Sequence, residues 1–370
     1  GGKISGNSVG GGVYVSAGSN THFTVSGSAQ ITDNQFGGDP QNVYLDENKG
    51  ESNTITVNGP LDSTASIGVT VPTPKSGDVN QLVASNISAA NAKHFFSDSS
   101  KYRLKRDSGV NTLTMVAVTE HNHPVCGATC SHIVGGKASH ENIVWKLLAM
   151  NSAGKLTVDG KEVSQSNVLP EGNYYLADDL ELSNCIETSG YTEVNLDLNG
   201  NTLTVNANPN AIMISSGTTF TLCDCSAGQT GKVTHGESYT GRGVYVSNAS
   251  TFTMYGGSIT GNSSNSSQNG GGVYVNSTGT FNMYGGSITG NTTTAYGGGV
   301  YLNSETSSGT TYKATFNMYG GSITNNAANS SNKSVGGGVY SQGTFTMTGG
   351  TITQNTAEYG AGVWTNASFT

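Results

Sequence analysis

The sequence predicts an all-β chain built as a parallel β-helix, a solenoid in two segments with an irregular cap and linker between them. Three observations carry this. A Phe-x-Met-x-Gly-Gly-x-Ile-x-x-Asn pattern recurs along the chain. Within each copy the apolar residues alternate with polar ones, which is strand spacing. Glycine supplies 53 of 370 residues while charged residues make up only 11%, against a usual ~7% and ~25%.

The repeats come first. Phe252–Asn262 (FTMYGGSITGN) returns as Phe281–Asn291, Phe316–Asn326 and Phe345–Asn355, with a looser copy from Phe23 to Asn34. Between copies sits Gly-Gly-Gly-Val-Tyr, at Gly10–Tyr14, Gly270–Tyr274, Gly297–Tyr301 and Gly336–Tyr340, with variants ending at Tyr245 and Trp364. Successive phenylalanines from Phe252 to Phe369 lie 29, 35, 29 and 24 residues apart. A period in this range means a solenoid or a propeller. Phe252 and Met254 alternate with threonines, Ile259 sits between Ser258 and Thr260, and Val273 and Val275 flank Tyr274. Three short strands per repeat, separated by glycine turns, describe one coil of a β-helix, whereas a propeller blade needs about four strands. The inward ladders predicted are Phe252/Phe281/Phe316/Phe345, Met254/Met283/Met318/Met347 and Ile259/Ile288/Ile323/Ile352. Uneven spacing places insertions at one corner, at Ser263–Asn269 and Ser304–Lys313.

Taken in order, residues 1–71 read as the last coils of a first β-helix. Residues 72–118 lose the glycine repeat and gain strands around Tyr102–Leu104 and Thr112–Val118, a β-rich cap. Residues 119–165 form a His- and Cys-rich linker, with one short helix predicted over Ser139–Met150 from Ile143, Val144, Leu147 and Leu148 on one face. Residues 166–370 form the second β-helix.

These repeats resemble those of right-handed β-helix surface proteins of gut Firmicutes, and are similar to the GGA-I/F-x-x-N repeats of chlamydial polymorphic membrane proteins. The resemblance covers roughly 1–70 and 200–370. It implies a right-handed parallel β-helix, secretion, a place on the bacterial cell surface and an adhesive or structural role. The barrel-forming domain and wall anchor of such proteins are not found in this sequence.

Charge and hydropathy narrow the partners. Sixteen basic against 24 acidic residues give −8, which speaks against a nucleic-acid partner. No apolar run approaches the ~20 residues of a membrane-spanning helix. The chain starts inside one repeat, at Gly1-Gly-Lys-Ile-Ser-Gly-Asn7, and stops inside another, at Ala367-Ser-Phe-Thr370. Two readings follow: a window of a longer protein, or a unit that continues axially as a tandem copy or by end-to-end stacking into a fibre.

The densest ligand cluster is His121, His123, Cys126, Cys130 and His132. Thiolate and imidazole at this spacing can close a Zn²⁺ site. A Cys126–Cys130 disulfide or two reduced thiols account for the same residues. Cys185 with Cys223 or Cys225 is a candidate staple of the entry coils. Tyr14, Tyr245, Tyr274, Tyr301, Tyr340 and Trp364 occupy one outward repeat position and form an aromatic ladder, either a glycan-binding face or a stack that stabilises the sheet. Asn7, Asn34, Asn262, Asn291, Asn326 and Asn355 form an amide ladder with a structural role.

The function expected is therefore a non-catalytic extracellular structural or adhesive solenoid, with self-association and a glycan or host-surface ligand as partners. The competing reading is a carbohydrate-active β-helix enzyme, a polysaccharide lyase or glycoside hydrolase. Such an enzyme needs paired carboxylates, or Asp-bound Ca²⁺ with a basic proton acceptor, on one outward face. From Ser238 to Thr370 the acids are Glu305 and Glu358, and the acid-richer patch Asp178, Asp179 and Glu181 lies in the entry coil.

Overall fold

The computed structural model describes residues 2–16, 23–48, 51–71, 80–92, 94–99, 102–107, 110–117, 122–123, 143–151, 154–163, 167–265, 268–330 and 334–370. The chain divides into two compact units. The first comprises Gly1–Glu120 with Met150–Lys155, and the second His121–Ala149 with Leu156–Thr370. Both are nearly all β, and parallel pairing dominates.

In the second unit each repeat adds one strand to each of three sheets, which reach ten, eight and seven strands. Thr251–Met254, Ser258–Thr260 and Val273–Val275 are one such set. Because pairing is parallel and in register, identical residues stack. Phe252, Phe281, Phe316 and Phe345 pair in succession, as do the residues of the Met and Ile ladders. All four phenylalanines are fully buried, with rings 4.9, 4.6 and 4.8 Å apart. Burying each ring contributes about 1.5–3 kcal/mol. At the last repeat Met347 and Ile352 are half-buried; no further strand pairs with Thr351–Thr353 among the described residues, and only a single bridge, Phe345 to Phe369, continues the sheet of Met347.

Each repeat also holds a fourth short strand. Ser263–Ser264, Thr292–Thr293 and Ala327–Ala328 pair with one another immediately after the ladder asparagines. The sequence offers no apolar alternation there, and Ser263–Ser264 is a regular rung where an insertion was expected. The insertion at Ser304–Lys313 is an exposed antiparallel hairpin, Ser304–Ser307 against Thr310–Lys313. Turns between sheets fall on the second glycine of each Gly-Gly pair. Gly257, Gly286, Gly321 and Gly350 have φ between 76° and 86°, which L-residues with a Cβ rarely adopt.

The predicted helix over Ser139–Met150 is not formed. Among its described residues, Ile143–Val144 and Lys146–Met150 are strands, and Lys146–Leu148 pair parallel with Tyr174–Leu176. The β-branched pair and Trp145 favour extended chain, and the open edge of the first rung supplies backbone partners that a helix would forgo. Leu156–Val158 and Lys161–Glu162 continue the same ten-stranded sheet.

The first unit tapers. Ser66–Thr70 pairs with Gln30–Thr32 through its first half and with Val43–Leu45 through its second, so it runs straight where the preceding rung turns. Phe95–Ser97 then covers its other edge. In the neighbouring sheet, Asn80–Ala84 is followed by the antiparallel strands Thr112–Ala117 and Tyr102–Asp107. The change from parallel to antiparallel pairing closes the stack. Val43, Leu45, Ile67, Val69, Val83 and Ile87 are fully buried in its core.

Candidate functional site

Two features carry chemistry: ladders on the rungs, and a buried cluster where the second unit begins. The asparagine ladder is directional. The Asn262 backbone N–H and Nδ2 both donate to Asn291 Oδ1, at 3.1 and 2.9 Å. Asn291 donates in the same way to Asn326, and Asn326 to Asn355. The second proton of each Nδ2 goes to a main-chain carbonyl of the preceding rung, such as Ile259 for Asn291. Asn262, Asn291 and Asn326 are fully buried, so this complete pairing is what makes them tolerable in the core. The series starts at His235, whose Nδ1 lies 2.8 Å from Asn262 Oδ1. As the amide oxygen accepts, the imidazole is the donor. Burial lowers the His235 pKa and outweighs the opposing effect of the Asn262 bond.

The first unit has its own series. Asn7 donates to Asn34 Oδ1, Asn34 to Asn42 Oδ1, and Asn42 to both oxygens of Asp98, at 2.7 and 2.5 Å. Thr70 Oγ1 also donates to Asp98. Burial raises the Asp98 pKa despite these bonds. Gly68 makes the arrangement fit: a Cβ there would lie 2.2 Å from Asp98 Oδ1 and 2.4 Å from Asn42 Nδ2. A polar cleft of about 510 Å³ opens here between Thr32–Gln35, Pro40, Asn42 and Phe96–Asp98. Its buried carboxylate is occupied by the ladder.

The aromatic ladder stacks on itself. Tyr245, Tyr274, Tyr301, Tyr340 and Trp364 have ring centroids 5.1, 5.2, 5.0 and 4.4 Å apart and lie within 10° of parallel. Tyr301 and Tyr340 are buried, and Tyr296 stacks on Tyr340 from the side. Arg242 lies against the first two rings, its guanidinium 4.8 Å from the Tyr274 ring centre and 5.4 Å from that of Tyr245. Burial pushes Tyr274 up to about 12. In the first unit Tyr14 is exposed and stacks on Tyr44 at 5.3 Å. The faces of most of these rings are therefore spent on each other.

Of the five predicted metal-binding residues, His121, Cys126, Cys130 and His132 lie outside the described residues. His123 is described, and its neighbours come from far along the chain. Asn122–His123 pairs antiparallel with Ile143–Val144. Trp145 then stacks on the His123 ring at 4.6 Å and donates Nε1–H to the His123 carbonyl at 3.1 Å. His123 Nε2 lies 2.8 Å from Asp197 Oδ2, with both side chains buried. Asp197 Oδ1 accepts the backbone N–H groups of Asn199 and Cys225, at 2.8 and 2.9 Å. This brings an imidazole, a carboxylate and the Cys225 thiol together. Asp197 and Cys225 were not singled out as ligands in the sequence; the recurring Asp two residues before a turn, at Asp197-Leu-Asn199 and Asp224-Cys-Ser226, is the signal that points to them.

The predicted cysteine staple does not form: Cys185, Cys223 and Cys225 make no disulfide with one another. Burial pushes Cys185 up to about 12, and pushes Cys223 and Cys225 up further, with Asp197 adding to both. These thiols are weak nucleophiles as they stand. The acid patch of the entry coil braces its neighbour: Asp179 accepts Thr202 N–H and Glu181 accepts Asn206 Nδ2. Glu305 is exposed on its hairpin and accepts Ser277 Oγ at 3.3 Å. Among the described residues no helix is long and apolar enough to cross a membrane. No protein-family model, curated protein or solved structure matches this chain.

Proposed function

We propose that this chain is an extracellular, cell-surface structural or adhesive protein without catalysis, a right-handed parallel β-helix that continues axially through further copies of itself. The polarity of the asparagine ladder carries the reading. Among the described residues the Asn355 backbone N–H and one Nδ2 proton find no partner, Nδ2 being bonded to the Ile323 carbonyl. At Asn7 the amide donates to Asn34, and its Oδ1 accepts no bond among the described residues. Donors at one exposed rung and an acceptor at the other are complementary. A copy whose Asn7 rung stacks on Asn355 would join the two series into one. That series would run from the His235 donor to the Asp98 acceptor with no orphan amide between. Strand edges at Thr351–Thr353 and Val363–Thr365, which carry no further strand among the described residues, would be covered at the same ~4.8 Å spacing. The repeat resemblance to bacterial surface β-helix proteins supports the extracellular placement. The bracing roles of Asp179, Glu181 and Asp98 favour a structural reading over a carbohydrate-active one.

Light scattering and electron microscopy of the purified chain over a concentration series test this. Elongation that Asn355→Asp slows at least tenfold is expected, since a carboxylate cannot donate. A chain that stays monomeric at high concentration overturns axial stacking. Polysaccharide turnover lost on Asp178→Asn/Asp179→Asn would overturn the non-catalytic reading.

A further inference from the structure

The His123, Asp197 and Cys225 side chains form a small built site that neither the ladders nor the solenoid core requires. One donor atom from each lies within 4.8 Å of the other two. The donors are nitrogen, oxygen and sulfur, a set suited to a borderline-soft divalent ion. We propose that these three residues bind a single Zn²⁺ ion, which staples the Asn122–His123 strand to the entry rungs of the second unit.

The surroundings are those of a ligand set held in place from behind. Two backbone N–H groups fix Asp197 Oδ1, so Oδ2, which lies 2.8 Å from His123 Nε2, is the oxygen that would serve an ion as a monodentate ligand. Trp145 holds the His123 ring by stacking and its carbonyl by a hydrogen bond. The Cys225 backbone is bonded to Asp197 itself, so thiol and carboxylate are set on adjacent rungs by the sheet pairing of Asp197 with Cys223. Second-shell bonds of this kind orient the ligands of known metal sites. Asp197 and His123 are buried, while Cys225 is half-buried and gives an ion a way in.

Charge supports the same ion. Asp197 and Asp224 are both buried and adjacent in the stack, and a thiolate would add a third negative charge. A dication offsets thiolate and Asp197 together. Bond lengths of about 2.0–2.3 Å in a tetrahedral site require donors about 3.3–3.7 Å apart. The 2.8 Å contact of His123 with Asp197 must therefore open by roughly half an ångström. On binding, the Cys225 S–H proton leaves to solvent, and the imidazole keeps one proton on the nitrogen that does not face the metal. These donors fill three of the four positions of a tetrahedral site.

Cobalt(II) titration of the reduced, chelator-treated full chain tests the site. One equivalent per chain should give a thiolate-to-cobalt charge-transfer band and tetrahedral visible bands, both displaced by Zn²⁺. Cys225→Ser should remove the charge-transfer band and weaken binding at least tenfold, with unchanged far-ultraviolet circular dichroism. His123→Ala should weaken binding without touching a thiol. A Cys126→Ser/Cys130→Ser chain should keep the Cys225-dependent signal. No cobalt band in the parent chain, or a band that survives Cys225→Ser and vanishes in the Cys126/Cys130 variant, would overturn the proposal.

Discussion

In the second unit the buried asparagine series begins on an imidazole, whereas in the first it finishes on a carboxylate. The difference follows from amide geometry. A column of amides that each donate to the next has a surplus acceptor where it starts and surplus donors where it stops. Inside a core, each surplus group costs about 1–3 kcal/mol if left unpaired. His235 supplies a donor at the start, and Asp98 accepts three donors at the finish. The two regions also end differently in shape. The first unit straightens through Ser66–Thr70 and closes with antiparallel strands, while the second keeps a constant rung to Val363–Thr365. A solenoid-like stack is thus finished by changing both the hydrogen-bond chemistry and the strand direction.

The constant stack of the second unit rests first on its phenylalanines. Phe281→Ala removes a ring packed between Phe252 and Phe316 and should cost about 3–5 kcal/mol. Calorimetry should show the second unit's transition lowered and the first unit's unchanged; equal loss in both would mean that the two melt as one.

Breaking the ladder should cost less and depend on depth. Asn291→Leu orphans donors of Asn262 and acceptors on Ile259 and Asn326, so a loss of at least ~2 kcal/mol is expected. Asn7→Leu, on the exposed first rung, should stay within about 0.5 kcal/mol. Denaturant unfolding of the two variants separates a buried ladder from a decorative one.

The smallest effect is in pH, and its sign differs between the units. The folded state holds His235 below its ordinary 6.5, so the second unit loses stability as pH falls through about 6.5 toward the lower folded value. The folded state holds Asp98 above its ordinary 3.8, so the first unit gains stability as pH falls through that raised value toward 3.8. Hydrogen exchange resolved by unit, followed from about pH 7 downward, should show these opposite slopes. His235→Asn and Asp98→Asn should each flatten one slope and leave the other.

Much of this was legible because in-register parallel stacking writes the core into the sequence as repetition. Phe281 and Ile288 could be placed inward from spacing alone, and the glycine triplets have a local cause. A Cβ on Gly299 would lie 2.6 Å from the Gly338 carbonyl and 2.9 Å from Ile323 Cγ2, so only glycine fits. What does not repeat was hidden. His123 meets Asp197 across 74 residues, and no period links them. His235 reaches the ladder from Thr234-His235-Gly236, one position before the one where later repeats carry the Asn of Gly-Asn, Asn-Asn or Gln-Asn, and Asp98 follows no repeat at all. The helix expected at Ser139–Met150 failed because apolar spacing over eight residues fits a strand flanked by Trp145 as well as it fits a helix face. The open rung at Tyr174–Leu176 favours the strand.

The stacked rings give the molecule an optical property. The chain has two tryptophans, and one of them, Trp364, terminates the column Tyr245–Tyr274–Tyr301–Tyr340. Tyrosines this close exchange electronic excitation by dipole coupling, and tryptophan, absorbing at lower energy, is the natural sink. Light absorbed anywhere along the column drains toward its final ring, so tyrosine-excited emission from Trp364 is a built-in reporter of whether the last rung is in place.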